Sequence, residues 1–499
     1  MEASGDGPAT DGPSAPGGSG GSGGAPDAPA EVERTSPGAL DGEAFEGVPV
    51  SRLPLGTPPA GCVDGFDREA GRLTLELDRE VRAVLLAVVE GRVQANSVSC
   101  SSGDGELALA DDVRAIRVLG HEGDNDVVID LSVDPFGSEL LGTMGSVRVE
   151  LGEGTDSLTI VGTDDADVIR VGSDEATVRI ALEGTTGQLA AADIESLICT
   201  LGPGTDQLFA SGGEDLGQPL MLSLSAYGGD GDDQLQGGAG DDTLFGGGGH
   251  DLFSTAEDAD GGDAYDGGEG VDTVDYSNRG LAITVSIDDL ANDGGLDERD
   301  DVQTSVEGVV GTAASDILIG SEGDDRLEGG EGDDVLNGNG GDDIFLERRA
   351  AGRDVINGGE GSDTIDYAGR TLDILITLCI PDDTRCYSGD CGCPADDGEP
   401  EERDTLVLIE NAYTGSGNDR LVGNVESNTF HAGEGDDELI GAEGDDTLYG
   451  EAGDDAMFGD EGEDLLDGSG GHDSFDGGAG QGDICTVLAP EVPVGCELY

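Results

Sequence analysis

A nine-residue period dominates the sequence between Gly228 and Cys485. Written in nines, the stretch from Gly228 reads GGDGDDQLQ, GGAGDDTLF and GGGGHDLFS. Eighteen such nonads occur, and position 8 is apolar in every one, although only 35% of all residues are hydrophobic. Position 6 is aspartate in all but two nonads, where Asn428 and Gly482 stand instead. Self-similarity at a fixed short period predicts a solenoid, in which successive repeats stack on one another.

The residue types at each position indicate how such a stack is built. Positions 1 to 6 are rich in glycine, which adopts positive φ and lets neighbouring turns approach closely. Positions 7 to 9 fit a three-residue strand whose middle side chain points inward, and strands of stacked turns pair at about 4.8 Å. The position 6 carboxylates then line up along an edge, beside turn carbonyls, and a bare row of this kind repels itself. Carboxylates and carbonyls are the ligands of a hard cation that takes about 6–8 oxygens.

The charge of the chain favours cations as partners. Acidic residues number 110 against 22 basic ones, all of them arginine, so the formal net charge is −88. Nucleic acid and anionic membrane surfaces are therefore poor partners, because both would be repelled. The sequence contains no transmembrane run, and no export signal is visible at its N-terminus.

The motif GGxGxDxUx, with U apolar, resembles the calcium-binding nonapeptide of the RTX (repeats-in-toxin, or hemolysin-type) proteins. The resemblance implies an all-β fold, a right-handed parallel β-roll or β-solenoid with two nonads per coil, and multiple Ca²⁺ ions between turns of successive coils. The implied carboxylate ligands are the position 6 residues Asp233, Asp242, Asp251, Asp272, Asp316, Asp325, Asp334, Asp343, Asp354, Asp363, Asp419, Asp437, Asp446, Asp455, Asp464 and Asp473. The implied turn carbonyls belong to Gly229, Gly231, Gly238, Gly240, Gly330, Gly332, Gly435, Gly444 and Gly453.

One nonad departs from the motif. GNVESNTFH, Gly423 to His431, has neither glycine at position 4 nor aspartate at position 6. We expect it to bind calcium weakly or not at all. Nonads at the ends of an array lack a stacking partner and should also bind poorly.

The interruptions of the period divide the chain. The predicted segments are a disordered Gly/Ser/Pro-rich linker (1–60), an N-terminal β-rich domain (61–226), a first calcium-repeat array (227–280), a covering strand with an acidic loop (281–310), a second array (311–368), a strand with a cysteine-rich insertion (369–413), a third array (414–485) and a C-terminal tail (486–499). The two segments between arrays match each other, and the strands LAITVSI and LDILITL are expected to cover an edge or side of the roll.

The N-terminal segment 61–226 has several alternating strand patterns and fits either a solenoid or a sandwich. GEGTDSLTI at Gly152 and GPGTDQLFA at Gly202 resemble degenerate nonads. Their aspartates, Asp156 and Asp206, could bind calcium or simply stabilise turns, and the turn interpretation is favoured on general grounds.

Nine cysteines are present. Cys62 and Cys100 could bracket the first strands, Cys485 and Cys496 could close a loop over the last coil, and Cys199 is left over in an apolar strand. The spacing of Cys379, Cys386, Cys391 and Cys393 is unlike common zinc sites, so disulfides in an oxidising compartment are favoured over zinc.

The sequence contains no catalytic motif that we recognise. HEGDN at His121 lacks the second histidine of H-E-x-x-H, and the other histidines fall within repeats. The first hypothesis is therefore a calcium-binding secreted or cell-surface protein that folds on binding Ca²⁺, with a structural or adhesive role. The alternative is a calcium-dependent extracellular enzyme, polysaccharide-acting or hydrolytic, with an unrecognised site in segment 61–226. Any further ligand is expected to be an extracellular or cell-surface polysaccharide or protein.

Overall fold

Short β-strands, most of them paired in parallel, build the protein. The structure is a computed structural model, and it describes residues 62, 65–70, 72–77, 82–89, 92–102, 104–105, 107–109, 113–132, 146–174, 177–183, 188–257, 261–296, 298–348, 352–379, 395, 397–400, 402–480, 482–486 and 494–498. The linker predicted over residues 1–60 lies outside this part of the chain.

The strands fall at short intervals along the chain. They are β1 Phe66–Asp67, β2 Arg72–Glu76, β3 Ala83–Val89, β4 Arg92–Ala95, β5 Val98–Ser99, β6 Ala115–Leu119, β7 Asp126–Asp130, β8 Ser146–Glu150, β9 Ser157–Val161, β10 Val168–Asp174, β11 Thr177–Leu182, β12 Gln188–Ala192, β13 Ser196–Pro203, β14 Gln207–Phe209, β15 Ser223–Asp230, β16 Gln234–Gln236, β17 Thr243–Gly249, β18 Leu252–Ser254, β19 Ala264–Gly270, β20 Thr273–Asp275, β21 Thr284–Ser286, β22 Asp301–Val302, β23 Gly308–Val310, β24 Ile317–Ile319, β25 Arg326–Glu328, β26 Val335–Gly340, β27 Ile344–Leu346, β28 Val355–Glu360, β29 Thr364–Asp366, β30 Leu375–Thr377, β31 Thr405–Val407, β32 Asn411–Tyr413, β33 Arg420–Val422, β34 Thr429–His431, β35 Glu438–Glu443, β36 Thr447–Tyr449, β37 Ala456–Glu461, β38 Leu465–Asp467, β39 Ser474–Asp476, β40 Ile484–Thr486 and β41 Glu497–Leu498.

Two walls face each other across the core. Within the described residues, the first wall is one sheet of 21 strands, of which β1 is the first in the chain and β41 the last. The second wall consists of three sheets of ten, five and five strands, which end at β22, β31 and β39 respectively. Successive nonads alternate between the walls, so a strand pairs with the strand two nonads later. Leu439 stands opposite Met457 in the second wall, and Leu448 stands opposite Leu466 in the first. This is the parallel β-roll, with two nonads per coil, that the sequence predicted.

Position 8 of the repeat supplies the interior. Phe253, Phe345 and Phe430 are completely buried, and the other position 8 side chains except Ile484 join them in one continuous hydrophobic core. Burying a Leu, Val, Ile or Phe side chain stabilises a fold by about 1.5–3 kcal/mol. Because a nonad contributes only one such residue, the core is thin, and positions 1 to 6 must find other means of holding neighbouring coils together.

The last predicted nonad is shifted by one residue, which corrects the sequence assignment. Ile484, assigned to position 8, is 36% exposed, whereas Cys485 is completely buried and stands opposite Leu466. Asp483 therefore occupies position 6 in place of Gly482. The reason is one extra turn residue in this coil, which a strict nine-residue count cannot register.

The N-terminal segment is a solenoid rather than a sandwich. Strands β3, β7, β9, β13 and β15 pair in parallel in that order in the second wall. In the first wall, β2, β6, β8 and β12 are parallel, and the antiparallel strand β11 connects β12 to β10. The apolar interior continues without a break from Leu73 to Leu224 and into the repeats.

The two matching segments between the arrays each contribute an edge strand to the second wall. β21 pairs in parallel with β24, and β30 pairs in parallel with β33. The central residues of these strands, Val285 and Ile376, are completely buried. They fill the core in the same way as the position 8 residues of the repeats do. β21 and β30 thus begin the second and third sheets of the second wall.

None of the described residues forms a helix with the length and apolarity needed to cross a bilayer.

Candidate metal centre

Two columns of carboxylates run along the two edges of the roll, immediately before the strands of each wall. In both columns the backbone N–H of one position 6 residue donates to Oδ1 of the position 6 residue one coil later. The distance is 2.8 Å from Asp233 N to Asp251 Oδ1, and 2.7 Å from Asp419 N to Asp437 Oδ1. Each aspartate therefore satisfies a turn N–H of its neighbour through Oδ1, and Oδ2 is left over. We call this hydrogen bond between coils the ladder bond.

The first column precedes the strands of the first wall. Its members are Asp206, Asp233, Asp251, Asp272, Glu307, Asp325, Asp343, Asp363, Glu410, Asn428, Asp446, Asp464 and Asp483.

The second column precedes the strands of the second wall and is divided into runs. They are Asn125, Asp156 and Glu195; then Asp242, Asp263 and Asp300; then Asp316, Asp334, Asp354 and Asp404; and finally Asp419, Asp437, Asp455 and Asp473. The second and third runs end where the first two sheets of the second wall end.

The second carboxylate oxygen is buried without a hydrogen-bond partner at many positions of both columns. Unsatisfied Oδ2 atoms belong to Asp156, Asp206, Asp233, Asp251, Asp272, Asp343, Asp363, Asp419, Asp437, Asp446, Asp455 and Asp464. A buried polar atom without a partner is costly, and an ionised one is more so. Because the same atom is left unsatisfied coil after coil, these oxygens form a set that calls for a common ligand.

Burial raises the pKa of many carboxyl groups in the two columns. Desolvation, with further contributions from neighbouring carboxylates, raises the pKa of Asp233, Asp437 and Asp446 to about 7 and that of Asp251 and Asp455 to about 6. The hydrogen bonds from the ladder N–H groups lower the pKa, but their effect is smaller than that of desolvation. Without a cation, these five groups therefore bind protons at a higher pH than free carboxyl groups do, and a cation beside Oδ2 would displace the protons.

Glycine at position 1 leaves room beside the unsatisfied oxygen. A Cβ on Gly441 would lie 2.2 Å from Oδ2 of Asp446 and 2.8 Å from the carbonyl oxygen of Gly459, the position 1 residue of the next coil. A Cβ on Gly228 would likewise lie 2.2 Å from Oδ2 of Asp233. Any larger residue would fill the space between carboxylate and carbonyl.

Glycine at position 4 has a different cause. Gly231 has a φ of +130°, and a Cβ there would lie 1.5 Å from the carbonyl oxygen of Gly204 in the preceding coil. The same close approach recurs from coil to coil: a Cβ added to Gly453 would lie 1.4 Å from the carbonyl oxygen of Gly435. Position 4 carbonyls thus form their own column parallel to the carboxylates, and only glycine fits between them.

This donor set fits a hard cation. Among the described residues, no three His, Cys, Asp or Glu side chains converge on one point. A bound ion would therefore need backbone carbonyls as well as carboxylates, which is the oxygen-only chemistry that Ca²⁺ accepts. The residues that could hold it are the position 6 aspartates with an unsatisfied Oδ2 and the turn carbonyls beside them.

The predicted ligands are not equivalent in their surroundings. Oδ2 of Asp316 accepts bonds from the N–H and hydroxyl of Thr312 at 2.6 and 2.9 Å, and Oδ2 of Asp325 accepts equivalent bonds from Ser321. Oδ2 of Asp242 accepts from the N–H of Gly238 at 2.6 Å. Protein groups already satisfy these three carboxylates, in contrast to Asp233 or Asp446.

Asn428 occupies a ladder position as a neutral group. Its N–H donates to Asp446 Oδ1 at 2.8 Å, and its side-chain Nδ2 donates to the carbonyl oxygen of Glu410 at 2.9 Å. An amide therefore fits the column without a cation, and weak calcium binding by this nonad stays a prediction.

Sequence reasoning missed several members of the columns. Asp263, Asp300, Asp404 and Asp483 are at most 1% exposed and accept the ladder bond. Glu307 and Glu410 stand in place of aspartate and accept the ladder bond through Oε2. The sequence pattern that could have found them is the apolar residue two positions later, Val309 and Ala412 respectively. Asp156 and Asp206, which the sequence favoured as simple turn residues, each accept a ladder bond and keep a buried, unsatisfied Oδ2.

Disulfides occur at both predicted pairs. Cys62 is bonded to Cys100, and Cys485 is bonded to Cys496. Cys199 is a free, buried thiol whose pKa burial raises to about 12. Cys379 is also disulfide-bonded, while Cys386, Cys391 and Cys393 lie outside the described residues.

The repeats match a known family. A family model described as RTX calcium-binding nonapeptide repeat (4 copies) matches residues 227–261, 310–345, 350–369, 413–448 and 449–484. These segments contain most of the predicted ligands. A search among curated proteins gave no match.

Proposed function

We propose that this chain, which carries RTX calcium-binding nonapeptide repeats, is a secreted or cell-surface protein whose repeats fold into the β-roll on binding several Ca²⁺ ions, with a structural or adhesive role. The observation that carries the proposal is the row of buried, unsatisfied Oδ2 atoms in both columns. Calcium ions would supply positive charge and oxygen coordination at these atoms.

The carboxylates supply the coupling between binding and folding. Their Oδ1 atoms tie each coil to the next through the ladder bonds, while their Oδ2 atoms remain buried. Without a cation, folding must bury rows of carboxylates in a chain of net charge −88. Because such a cation binds only the stacked coils, its binding free energy adds to the stability of the fold.

We propose the position 6 aspartates predicted from the sequence as ligands, with Asp206 as an additional one. Asp206 belongs to the first column, since its N–H donates to Asp233 Oδ1 at 2.7 Å, and its own Oδ2 is unsatisfied. Asp316, Asp325 and Asp242 would contribute more weakly, because protein donors already occupy their Oδ2 atoms.

The extracellular assignment rests on two supports. The Cys62–Cys100 and Cys485–Cys496 disulfides are typical of oxidising compartments. Extracellular calcium modules bind with dissociation constants of about 10⁻⁴–10⁻³ M, which suits a folding switch that operates outside cells.

Far-UV circular dichroism of the full chain tests the calcium part. We expect little β-structure in a chelator and a large gain on adding Ca²⁺. Mg²⁺ at equal concentration is the control, because it demands a small octahedral site and gives up its water reluctantly. A full β-spectrum in the chelator, unchanged by Ca²⁺, would contradict the proposal.

Fractionation of the producing cells tests location: the oxidised protein should appear in the medium or in a surface wash.

A further inference from the structure

Two carboxylates at the ends of column runs differ from the rest. Asp300 and Asp404 accept the ladder bond through Oδ1, from Asp263 N at 3.0 Å and Asp354 N at 2.9 Å. Their Oδ2 atoms accept from tyrosine hydroxyls, Tyr276 at 3.1 Å for Asp300 and Tyr367 at 2.9 Å for Asp404. Both oxygens of each carboxylate are therefore satisfied by the protein.

A buried arginine accompanies each of these tyrosines. The Arg279 guanidinium lies over the Tyr276 ring at 5.2 Å, donates to Glu298, and places one nitrogen 3.9 Å from Asp300 Oδ2. Its side chain is 5% exposed. Buried guanidinium groups are costly unless they are paired, and the carboxylates of Glu298 and Asp300 pair this one.

The second arrangement repeats the first. Arg370 lies over the Tyr367 ring at 5.1 Å and donates to Glu402 and to Glu347. Its side chain is only 2% exposed. Glu347, whose side chain is 4% exposed, lies 3.3 Å from the guanidinium, so this arginine is paired with two buried acidic side chains.

The two clusters are built from matching sequence. Each has a Tyr-x-x-Arg segment before the first strand of a new sheet, YSNR from Tyr276 and YAGR from Tyr367. Each also has an acidic turn that begins with Asp-Gly and ends with Glu-Arg-Asp, at Asp300 and at Asp404. The turn glutamates, Glu298 and Glu402, accept both from the arginine and from an N–H of their own turn.

The position of the clusters in the fold explains why a fixed cation is needed there. β22 and β31, which follow Asp300 and Asp404 directly, are the last strands of two sheets of the second wall. No later strand of the same sheet stacks on them, so the next coil cannot contribute the second half of a cation site. Each run would otherwise end in an uncompensated buried carboxylate.

We propose that Arg279 and Arg370 are built-in counter-ions that take the place of Ca²⁺ at the ends of these two runs. The described residues around them, 276–296 with 298–302 and 367–379 with 397–400 and 402–407, then stay ordered at calcium concentrations too low to order the repeats. The inference extends the proposed function, because it divides the roll into calcium-dependent arrays joined by two calcium-independent clusters.

Amide hydrogen exchange of the full chain, followed by mass spectrometry in a chelator and at rising Ca²⁺, tests this. We expect peptides from the two cluster segments to exchange at least about tenfold more slowly in the chelator than peptides from 432–467. Arg370→Met keeps the bulk of the side chain and removes its charge, and should abolish that difference in its own cluster. Arg353→Met is the matched control, because Arg353 forms only an exposed pair with Asp333.

The outcomes separate this inference from the proposed function. Cluster peptides that exchange as fast as the array in the chelator, and gain protection at the same Ca²⁺ concentration, would overturn it while leaving calcium-coupled folding intact. An array already protected in the chelator would refute calcium-coupled folding. The effect of Arg370→Met relative to Arg353→Met on the cluster peptides would still decide the role of the arginine.

Discussion

Substitution of Asp446 by asparagine should have effects of opposite sign with and without calcium. Asp446 is 1% exposed, its Oδ1 accepts from Asn428 N at 2.8 Å, and its Oδ2 has no partner. Asparagine can keep the ladder bond through its carbonyl oxygen. Asn428 occupies an equivalent place in the same column, which indicates that the amide fits.

The magnitude without calcium follows from the pKa. Burial raises the pKa of Asp446 from 3.8 to about 7. Because each pKa unit corresponds to about 1.4 kcal/mol, an ionised Asp446 costs up to about 4 kcal/mol in the bare fold above pH 7. Removal of that charge should stabilise the calcium-free roll by a sizeable part of this amount.

With calcium, the same substitution removes a ligand. At least a tenfold loss of affinity at this site is expected, which lowers the free energy of unfolding by about 1.4 kcal/mol or more at a given Ca²⁺ concentration. The assay is urea unfolding followed by circular dichroism in Ca²⁺, and folding driven by the osmolyte TMAO in a chelator.

The neighbouring Asp445→Asn is the matched control. Asp445 is exposed and accepts an equivalent backbone bond, from Glu463 N at 2.9 Å, and its substitution changes the net charge by the same amount. We expect it to shift both measurements only slightly. If Asp446→Asn destabilises the protein equally in chelator and in Ca²⁺, or if Asp445→Asn reproduces its effects, the assignment of the inner column as the cation edge is wrong.

Three further perturbations test other parts of the account. Carboxyl groups whose folded pKa lies near 6–7, such as Asp233, bind protons more tightly in the folded than in the unfolded chain. In a chelator, circular dichroism should therefore report more β-structure at pH 4.5 than at pH 7.5. Less β-structure at pH 4.5 would contradict the pKa direction. Leu448→Ala removes a completely buried position 8 side chain and should cost about 2–5 kcal/mol in urea unfolding without changing the number of bound Ca²⁺ ions. Gly453→Ala would place a Cβ 1.4 Å from the Gly435 oxygen and should lower the thermal midpoint far more than Gly213→Ala, where φ is also positive but the space is open; equal effects would show that backbone strain alone matters.

The regular part of the fold could be predicted because one side chain per nonad decides it. Position 8 residues such as Leu235 and Leu466 are buried wherever the nine-residue count is intact. The inward direction of the strand centre and the pairing two nonads apart then follow from strand geometry. The walls and the two carboxylate edges are consequences of that repetition.

The members that were missed lie where spacing no longer reports stacking. A nine-residue count that restarts after Ser254 places position 6 three residues before Asp263, and the count in the last nonad places it one residue before Asp483. Asp300 and Asp404 come 37 and 50 residues after their ladder neighbours. The column is defined by a hydrogen bond between coils, and a loop of any length can return the chain to the same place. A count along the sequence cannot detect that return.

The matched Tyr-x-x-Arg segments show a second limit. The duplication was visible in the sequence, but the contact of Arg279 with Glu298 and Asp300 depends on an acidic turn about twenty residues later. In a chain in which acidic residues are abundant everywhere, composition gives no reason to single out that turn. Only the fold brings the arginine to the end of the column.

The most direct test of the central claim is small-angle X-ray scattering of the full chain during a Ca²⁺ titration that starts from chelator. The account predicts a radius of gyration that approaches the roughly 80 Å of an unfolded chain of 499 residues without calcium and falls sharply as several ions bind per molecule. A radius that is already small in the chelator at neutral pH, and does not change as Ca²⁺ is added, would contradict the claim that cations at the carboxylate columns hold the roll together.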